Sequence, residues 1–325
     1  MRTEQSPLNS GFGFHTTAEQ VLAGRDLRGF HAIVTGGYSG IGVETVRALV
    51  RAGARVVVPA RDLDKARRTL RDIPEAELER LDLGDPESID AFAARYVASG
   101  RPLHVLIQSA GVMACPLERD GRGFERQFAT NHLGHFLLTA GLWPALRRAE
   151  AARVVSVSSL GHRICAVDFD DPHFAHRPYD KWIAYGQSKT ANALFALELD
   201  RRARGHGVRA FSLHPGEILT DLVRHLSPED LRRVGAIDAT GNIQPPEVTG
   251  FKTVAQGAAT QVWCATSPQL DGRGGVYCED CDIAPAVGGD SPEKRGVRPW
   301  ARDAAAARRL WELSEQQLGR EFFIG

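Results

Sequence analysis

From His31 onward the chain alternates short β-branched runs with longer stretches of helical period, and no other feature constrains the fold as strongly. Strands that arrive singly, each followed by a helix, pair in parallel, because a crossover of a dozen or more residues returns the chain to the same end of the sheet. Helices then cover both faces, which makes the fold α/β and doubly wound. The runs predict seven strands, at 31–35, 55–59, 78–82, 103–107, 153–158, 208–213 and 275–278, forming one parallel sheet. Helices are expected at 40–52, 62–71, 86–99, 124–148, 181–204 and 252–266.

With 325 residues, 43% of them apolar, the chain can bury a full core, and neither a Pro/Gly-rich linker nor an internal repeat divides it. A single domain is expected over 29–290, with an N-terminal extension at 1–28 and a helical tail at 291–325. Residues 217–250 break the alternation with a helical patch at 228–234 and a proline-containing irregular run, and they read as a substrate lid. In the tail, Trp300, Ala304, Ala307, Leu310, Trp311 and Leu318 fall at helical spacing and predict one packing stripe.

Forty basic residues balance forty acidic ones, so no net field draws nucleic acid or an anionic membrane to the chain. No apolar run reaches the roughly 18 residues of a membrane span, and 1–28 is too polar for a signal peptide. Five cysteines, an odd set, suit a reducing compartment, and a cytoplasmic protein is expected. Cys278 and Cys281 form one C-x-x-C without the two further ligands of a zinc site, so they read as thiols in a late loop and no metal is expected.

Between the first strand and its helix lies Thr35-Gly36-Gly37-Tyr38-Ser39-Gly40-Ile41-Gly42. A helix N-terminus offers unpaired N–H groups and partial positive charge, and glycines let a pyrophosphate approach the backbone. The first βα unit is where a Rossmann fold binds a dinucleotide. One unit later the second strand ends at Ala60, followed by Arg61. A carboxylate there would repel a 2′-phosphate, whereas a guanidinium attracts it, so NADP is favoured and NAD remains open. The other reading of Arg61 is a solvated arginine opening the next helix. Asp82 and Leu83, at the third strand's end, are placed to meet the adenine edge, and Asp82 could equally cap the turn before Asp85.

Tyr185 and Lys189, four apart in a helical pattern, project from one face. Ser158 and Ser159 close the fifth strand, where a parallel sheet presents its crevice, and either hydroxyl could hold a substrate oxygen. Carbonyl reduction needs a proton donor to the developing alkoxide; a phenol serves, and a lysine cation, together with the positive nicotinamide, favours the phenolate required for the reverse reaction.

The glycine turn, the Tyr185/Lys189 pair, Asn131 in Thr-Asn-His-Leu-Gly-His and His214-Pro215-Gly216 after the sixth strand resemble the short-chain dehydrogenase/reductase family, in order over roughly 15–285. Thr16-Thr17-Ala18, Gly24-Arg25-Asp26 and Glu198-Leu199 are similar to its retinol dehydrogenase-like branch, especially the oxidoreductase domain of the WW-domain-containing oxidoreductase, with no WW domains preceding it here. The resemblance implies a catalytic tetrad of Asn131, Ser159, Tyr185 and Lys189. It implies cofactor contacts from Gly36, Tyr38, Ser39, Gly40, Ile41, Gly42, Arg61, Asp82, Leu83, Ser109, Ala110, Gly111, Pro215, Gly216, Ile218 and Thr220, besides Tyr185 and Lys189. Asn131 is expected to hold its helix locally open. Gln108-Ser109 departs from the family's Asn-Asn before Ala110-Gly111. Family members often pair through the helices at 124–148 and 181–204, so a homo-oligomer is expected.

The implied activity is interconversion of a carbonyl and an alcohol on a small, apolar organic molecule with NADP(H). Two other readings share these residues: a non-catalytic dinucleotide-binding regulator, and a reductase of carbon–carbon double bonds of the protochlorophyllide reductase type. An intact Tyr185/Lys189 pair speaks against the regulator.

Overall fold

The computed structural model describes residues 3–324. Its eight strands are β1 (His31–Thr35), β2 (Arg55–Ala60), β3 (Glu77–Arg80), β4 (Val105–Gln108), β5 (Ala152–Val157), β6 (Val208–His214), β7 (Val276–Glu279) and β8 (Asp282–Ile283). They form one sheet in the order β3-β2-β1-β4-β5-β6-β7-β8. The first seven are parallel, as expected. Strands such as β4, buried along its whole length, read as continuous apolar runs because both faces are covered.

The eighth strand corrects the seven-stranded expectation. Asp280 and Cys281, at φ +50° and +58°, reverse the chain after β7, and β8 returns antiparallel with Cys278 opposite Ile283. Two residues are too few to leave a periodic signal. Cys278 therefore lies in β7 rather than a late loop, and both it and Cys281 are fully buried. All five cysteines are free thiols. Among the described residues no group of three His, Cys, Asp or Glu side chains is arranged to hold a metal. The Gln5 side chain covers this side of the sheet, donating to the carbonyls of Tyr277 and Ala284 and accepting from Tyr277 N–H.

Two apolar layers flank the sheet. One contains Phe92, Phe136, Leu138, Leu199 and Trp311, the other Val46, Leu49, Val262 and Trp263. Aspartates begin three of the longer helices. Asp85 accepts from Glu87 N–H ahead of Pro86, and Asp180 accepts from Trp182 and Ile183 at the start of the Lys181–Ala203 helix.

Two expected helices are interrupted. The segment at 252–266 splits into Val254–Gly257 and Ala259–Thr266. The segment at 124–148 opens as Arg126–Phe128, widens into a π turn at Ala129–Leu133 and continues as Gly134–Arg148. A π turn inserts an extra residue per turn and is frequent at functional sites.

The tail forms the Ala304–Leu318 helix, which buries Ala307, Leu310 and Trp311. Trp300 lies ahead of it and packs in a separate cluster with Tyr277, so the expected stripe is shorter than its periodicity suggested. Trp311 sits 4.9 Å from the Phe136 ring and 5.0 Å from Phe322. The helix thus covers the Gly134–Arg148 and Lys181–Ala203 helices, through which pairing of two copies was expected. Among the described residues no helix is long and apolar enough to cross a membrane.

Candidate active site

The order of the sheet reverses between β1 and β4, and in a doubly wound fold the ligand crevice lies outside the strand ends at that point. The turn after β1 closes tightly there. Gly36 has φ +68°, and a Cβ on it would stand 2.8 Å from Ala110 Cα. One on Gly42 would stand 2.2 Å from the Gly36 carbonyl oxygen, so only glycine allows the helix to start against its own turn. Thr35 locks this turn to the β4 end, accepting from Ala110 N–H at 3.1 Å while its Oγ1 lies 2.9 Å from His135 Nε2. Gly36, Tyr38, Ser39, Gly40 and Ile41 line the resulting cleft, opposite Ser109, Ala110 and Gly111. Gly42 does not line it; its place is inside the turn.

The cleft encloses about 770 Å³. At one end the exposed Arg61 stands just beyond Ala60, with Lys65 one helical turn on. Lys65 has no signal of its own in the sequence; it reaches the cleft because Asp62 caps the helix by accepting from its N–H at 2.9 Å. The Lys65 ammonium lies 3.3 Å from Asp221, and Ser39 donates to the same carboxylate at 3.4 Å. Asp82 and Leu83 line an adjoining recess of about 490 Å³ that also touches Arg61, Gly36 and Gly111. Strand β3 ends at Arg80, so Asp82 sits beyond it rather than at its end, and it caps its turn by accepting from Gly84 N–H at 2.9 Å.

The Lys181–Ala203 helix brings Tyr185 and Lys189 to the middle of the cleft, where both line it beside Ser159. Lys189 Nζ lies 5.7 Å from the centre of the Tyr185 ring. Burial pushes the Tyr185 phenol up to about 12, opposed by a hydrogen bond with Ser159. Burial pulls Lys189 down to about 8. Burial is the larger influence on the phenol, which keeps its proton across neutral pH. The two serines separate cleanly. Both line the cleft; Ser159 accepts from Gly161 N–H at 3.1 Å, whereas the buried Ser158 commits its hydroxyl to the Lys189 carbonyl at 2.7 Å.

Asn131 stands in the π turn and is completely buried. It accepts from Val112 N–H at 2.9 Å and donates to the Val112 carbonyl at 2.9 Å and to Ser188 Oγ at 3.0 Å. It does not line the cleft but lies behind Gly111: a Cβ there would be 3.1 Å from Asn131 Oδ1 and 3.6 Å from Lys189 Nζ.

Beyond Tyr185 the cleft is lined by Met113, Ile164, Trp182, Leu222, Leu226 and Phe251. Pro215, Gly216, Ile218 and Thr220 run along its rim, and Thr220 caps the turn Asp221–His225 by accepting from Leu222 N–H. The 217–250 segment contributes Val234 and Ala236 as well, so it borders the cleft. Arg163 and Arg298 also open on it; neither falls in a sequence motif. This set suits a dinucleotide: a glycine cradle on a helix N-terminus, two cations at one end, and a buried lysine beside a phenol in the middle.

A family model described as short chain dehydrogenase matches residues 30–231. A "Probable oxidoreductase" of Streptomyces lividans is 46% identical over 299 residues, covering 90% of this chain and 99% of that protein. Human "Retinol dehydrogenase 12" is 38% identical over 299 residues, covering 90% of this chain and 87% of that protein. Among solved structures, an uncharacterised protein from Mycobacterium Paratuberculosis superposes with a TM-score of 0.69 at 31% identity, covering 92% of this chain and 97% of that one. An RhlG/NADP active-site complex of Pseudomonas aeruginosa, 23% identical with a TM-score of 0.58, covers 78% of this chain and 94% of that one and shares the fold.

Proposed function

The chain is a short-chain dehydrogenase/reductase of the retinol dehydrogenase-like branch, and from that premise we propose that it interconverts a carbonyl and an alcohol on a small, largely apolar substrate, using NADP(H) in preference to NAD(H). One observation carries this reading. A buried phenol, a buried lysine and a serine hydroxyl line the same cleft as the glycine turn and the Arg61/Lys65 pair.

Each residue has a task that its surroundings support. The reduced nicotinamide, when bound, supplies the hydride that the carbonyl carbon receives. Tyr185, protonated at neutral pH, donates its proton to the carbonyl oxygen as charge develops there. Ser159, already within hydrogen-bonding reach of that phenol, holds the same oxygen. Lys189 contributes a positive charge at a buried position and donors for the cofactor's ribose hydroxyls. Asn131 acts through others: it fixes the Val112 backbone beside Gly111 and holds the helix carrying Tyr185 through Ser188. Arg61 and Lys65 bind the 2′-phosphate, and Asp82 and Leu83 border the adenine recess. Every residue in this scheme comes from one chain. A cytoplasmic location fits the five free thiols.

The test is to incubate the purified protein with NADPH or NADH and a panel of aldehydes, ketones and enones, following cofactor oxidation. Turnover of carbonyls with NADPH is expected. Reduction of enones at the double bond alone, or cofactor binding without any turnover, would replace this reading with one of the two alternatives.

A further inference from the structure

The half of the cleft beyond Tyr185 is mostly apolar, yet two guanidinium groups open on it. Arg163 ends the Leu160–Arg163 turn that follows Ser159, and Arg298 arrives from the C-terminal segment. Their heads converge, because an amino group of each donates to the carbonyl of Ser291, at 3.3 Å for Arg163. Arg298 is only 3% exposed, and its Nε finds no acceptor. Burial and the charge of Arg298 both weaken the hold of Arg163 on its proton.

Glu279 attracts Arg163 through space, but among the described residues no carboxylate forms an ion pair with either guanidinium. Glu279 and Asp280 both pair with Arg295, and Asp280 also holds the buried Lys252 at 2.7 Å. Glu217, on the rim, faces Lys294 at 3.7 Å. Among the described residues Arg163 and Arg298 have carbonyl oxygens as partners and no carboxylate. Two like charges held together, one of them deeply buried, are costly, and a bound anion relieves that cost. The pair is also in fixed register with the reacting centre. Arg298 N–H donates to His162 Nε2 at 3.3 Å, and His162 Nδ1 lies 2.7 Å from the Ser159 carbonyl oxygen.

We propose that Arg163 and Arg298 form an anion subsite, and that the substrate carries a carboxylate separated by an apolar segment from its reacting carbonyl. This rests on the carbonyl-reducing reading above and names its substrate class. A guanidinium fork suits a carboxylate because it can give two parallel N–H bonds. The apolar walls take the chain between the two ends of the molecule.

The experiment compares ω-oxo carboxylic acids with plain aldehydes of equal length, using NADPH and reading the ratio of kcat/KM. The acid is expected to be preferred by roughly 10- to 100-fold, the scale of a charged hydrogen bond, with an optimum chain length. The preference should collapse in Arg163→Gln and be partly restored in Arg163→Lys. Arg163 is the position to vary, since the deeply buried Arg298 also supports the fold. No preference in the wild type, or one that survives Arg163→Gln, overturns the proposal. If neither aldehyde reacts, the carbonyl-reducing reading fails and the subsite is judged separately, by calorimetric titration of the NADPH-loaded protein with decanoate. Binding weakened about tenfold or more by Arg163→Gln supports the subsite; absent binding, or binding indifferent to that change, overturns it.

Discussion

Lys189 Nζ donates a 2.9 Å hydrogen bond to the carbonyl of Val157, the last residue of β5. The bond ties the Lys181–Ala203 helix to the strand that leads into Ser159, so the phenol, the ammonium and the hydroxyl are held in one frame. Asn192 donates to the same carbonyl at 3.1 Å, and Ser158 returns a bond to the Lys189 backbone. The site is therefore preorganised by backbone contacts, and its variants should change chemistry before they change the fold.

Tyr185→Phe removes one hydroxyl and keeps the ring that packs on Gly161. Turnover should fall at least ~10²-fold, the usual scale of general acid–base catalysis, while NADPH affinity stays near wild type. Stopped-flow turnover with parallel fluorescence titration of the cofactor measures both. Retained turnover would remove Tyr185 from the mechanism.

Lys189, brought down to about 8 by burial, loses its charge as pH rises through that value. Tyr185 keeps its proton up to about 12. Carbonyl reduction should therefore be level near neutrality and decline on the alkaline side as the ammonium is neutralised. Lys189→Met should abolish that alkaline limb and weaken cofactor binding. A wild-type profile still flat at pH 10 would contradict the role given to Lys189.

Arg61→Ala should weaken NADPH binding by roughly ten- to a hundredfold and leave NADH nearly unaffected, since a charged hydrogen bond to the 2′-phosphate is worth about 1.5 to 3 kcal/mol. Lys65→Ala should act in the same direction but less, because its ammonium is shared with Asp221. Equal losses for both cofactors would show that these cations serve the fold or the lid and do not select the phosphate.

Asn131→Ala strands the Val112 N–H and carbonyl in a buried place, and each unpaired group costs about 1 to 3 kcal/mol. The melting temperature should drop, and kcat should fall more than KM rises, because the loss reaches Tyr185 through Ser188 and Gly111. A variant with normal kcat and only a lower melting temperature would make Asn131 purely structural.

Acid should destabilise the protein well above the carboxylate range. Burial pulls His132 and His214 down to about 3 and His135 and His162 down to about 4, so all four are neutral when folded. The unfolded chain binds protons on them below about 6.5, hence below that pH the unfolded state carries more protons and stability falls. Each contributes a loss of about 1.4 kcal/mol per pH unit between its two values. Glu125 and Glu279, raised by burial, act in the opposite sense. Urea unfolding at pH 7 and pH 5 should show a clear loss at pH 5; equal midpoints would mean that the histidines are not buried neutral.

Much of this molecule is written in local pattern. The β1 run, the glycine turn and the Tyr185/Lys189 spacing each concern neighbours along one element, where a period of two or four residues already states which side chains share a face. The parallel sheet and the floor of the cleft follow from them. Which of Ser158 and Ser159 keeps its hydroxyl free for a ligand depends on how β5 meets its neighbours, and the bond from Ser158 to the Lys189 carbonyl commits the Ser158 hydroxyl. The π turn that seats Asn131 is equally invisible, because its residues keep helical periodicity while the hydrogen bonds shift.

What only the tertiary structure decided is convergence from distant parts of the chain. Lys65 and Asp221 meet across the cleft, and Arg163 and Arg298 share one carbonyl, although nothing in their sequence neighbourhoods distinguishes them from solvated charges. The Ala304–Leu318 helix likewise announced an apolar stripe without saying that it would cover the two helices through which copies were expected to pair. Sequence period reports on contacts within a few residues, whereas the strand order and the path of the tail set which surfaces meet. The identity of the cleft was therefore legible in the chain, and the charges that border it became legible only when the fold brought them together.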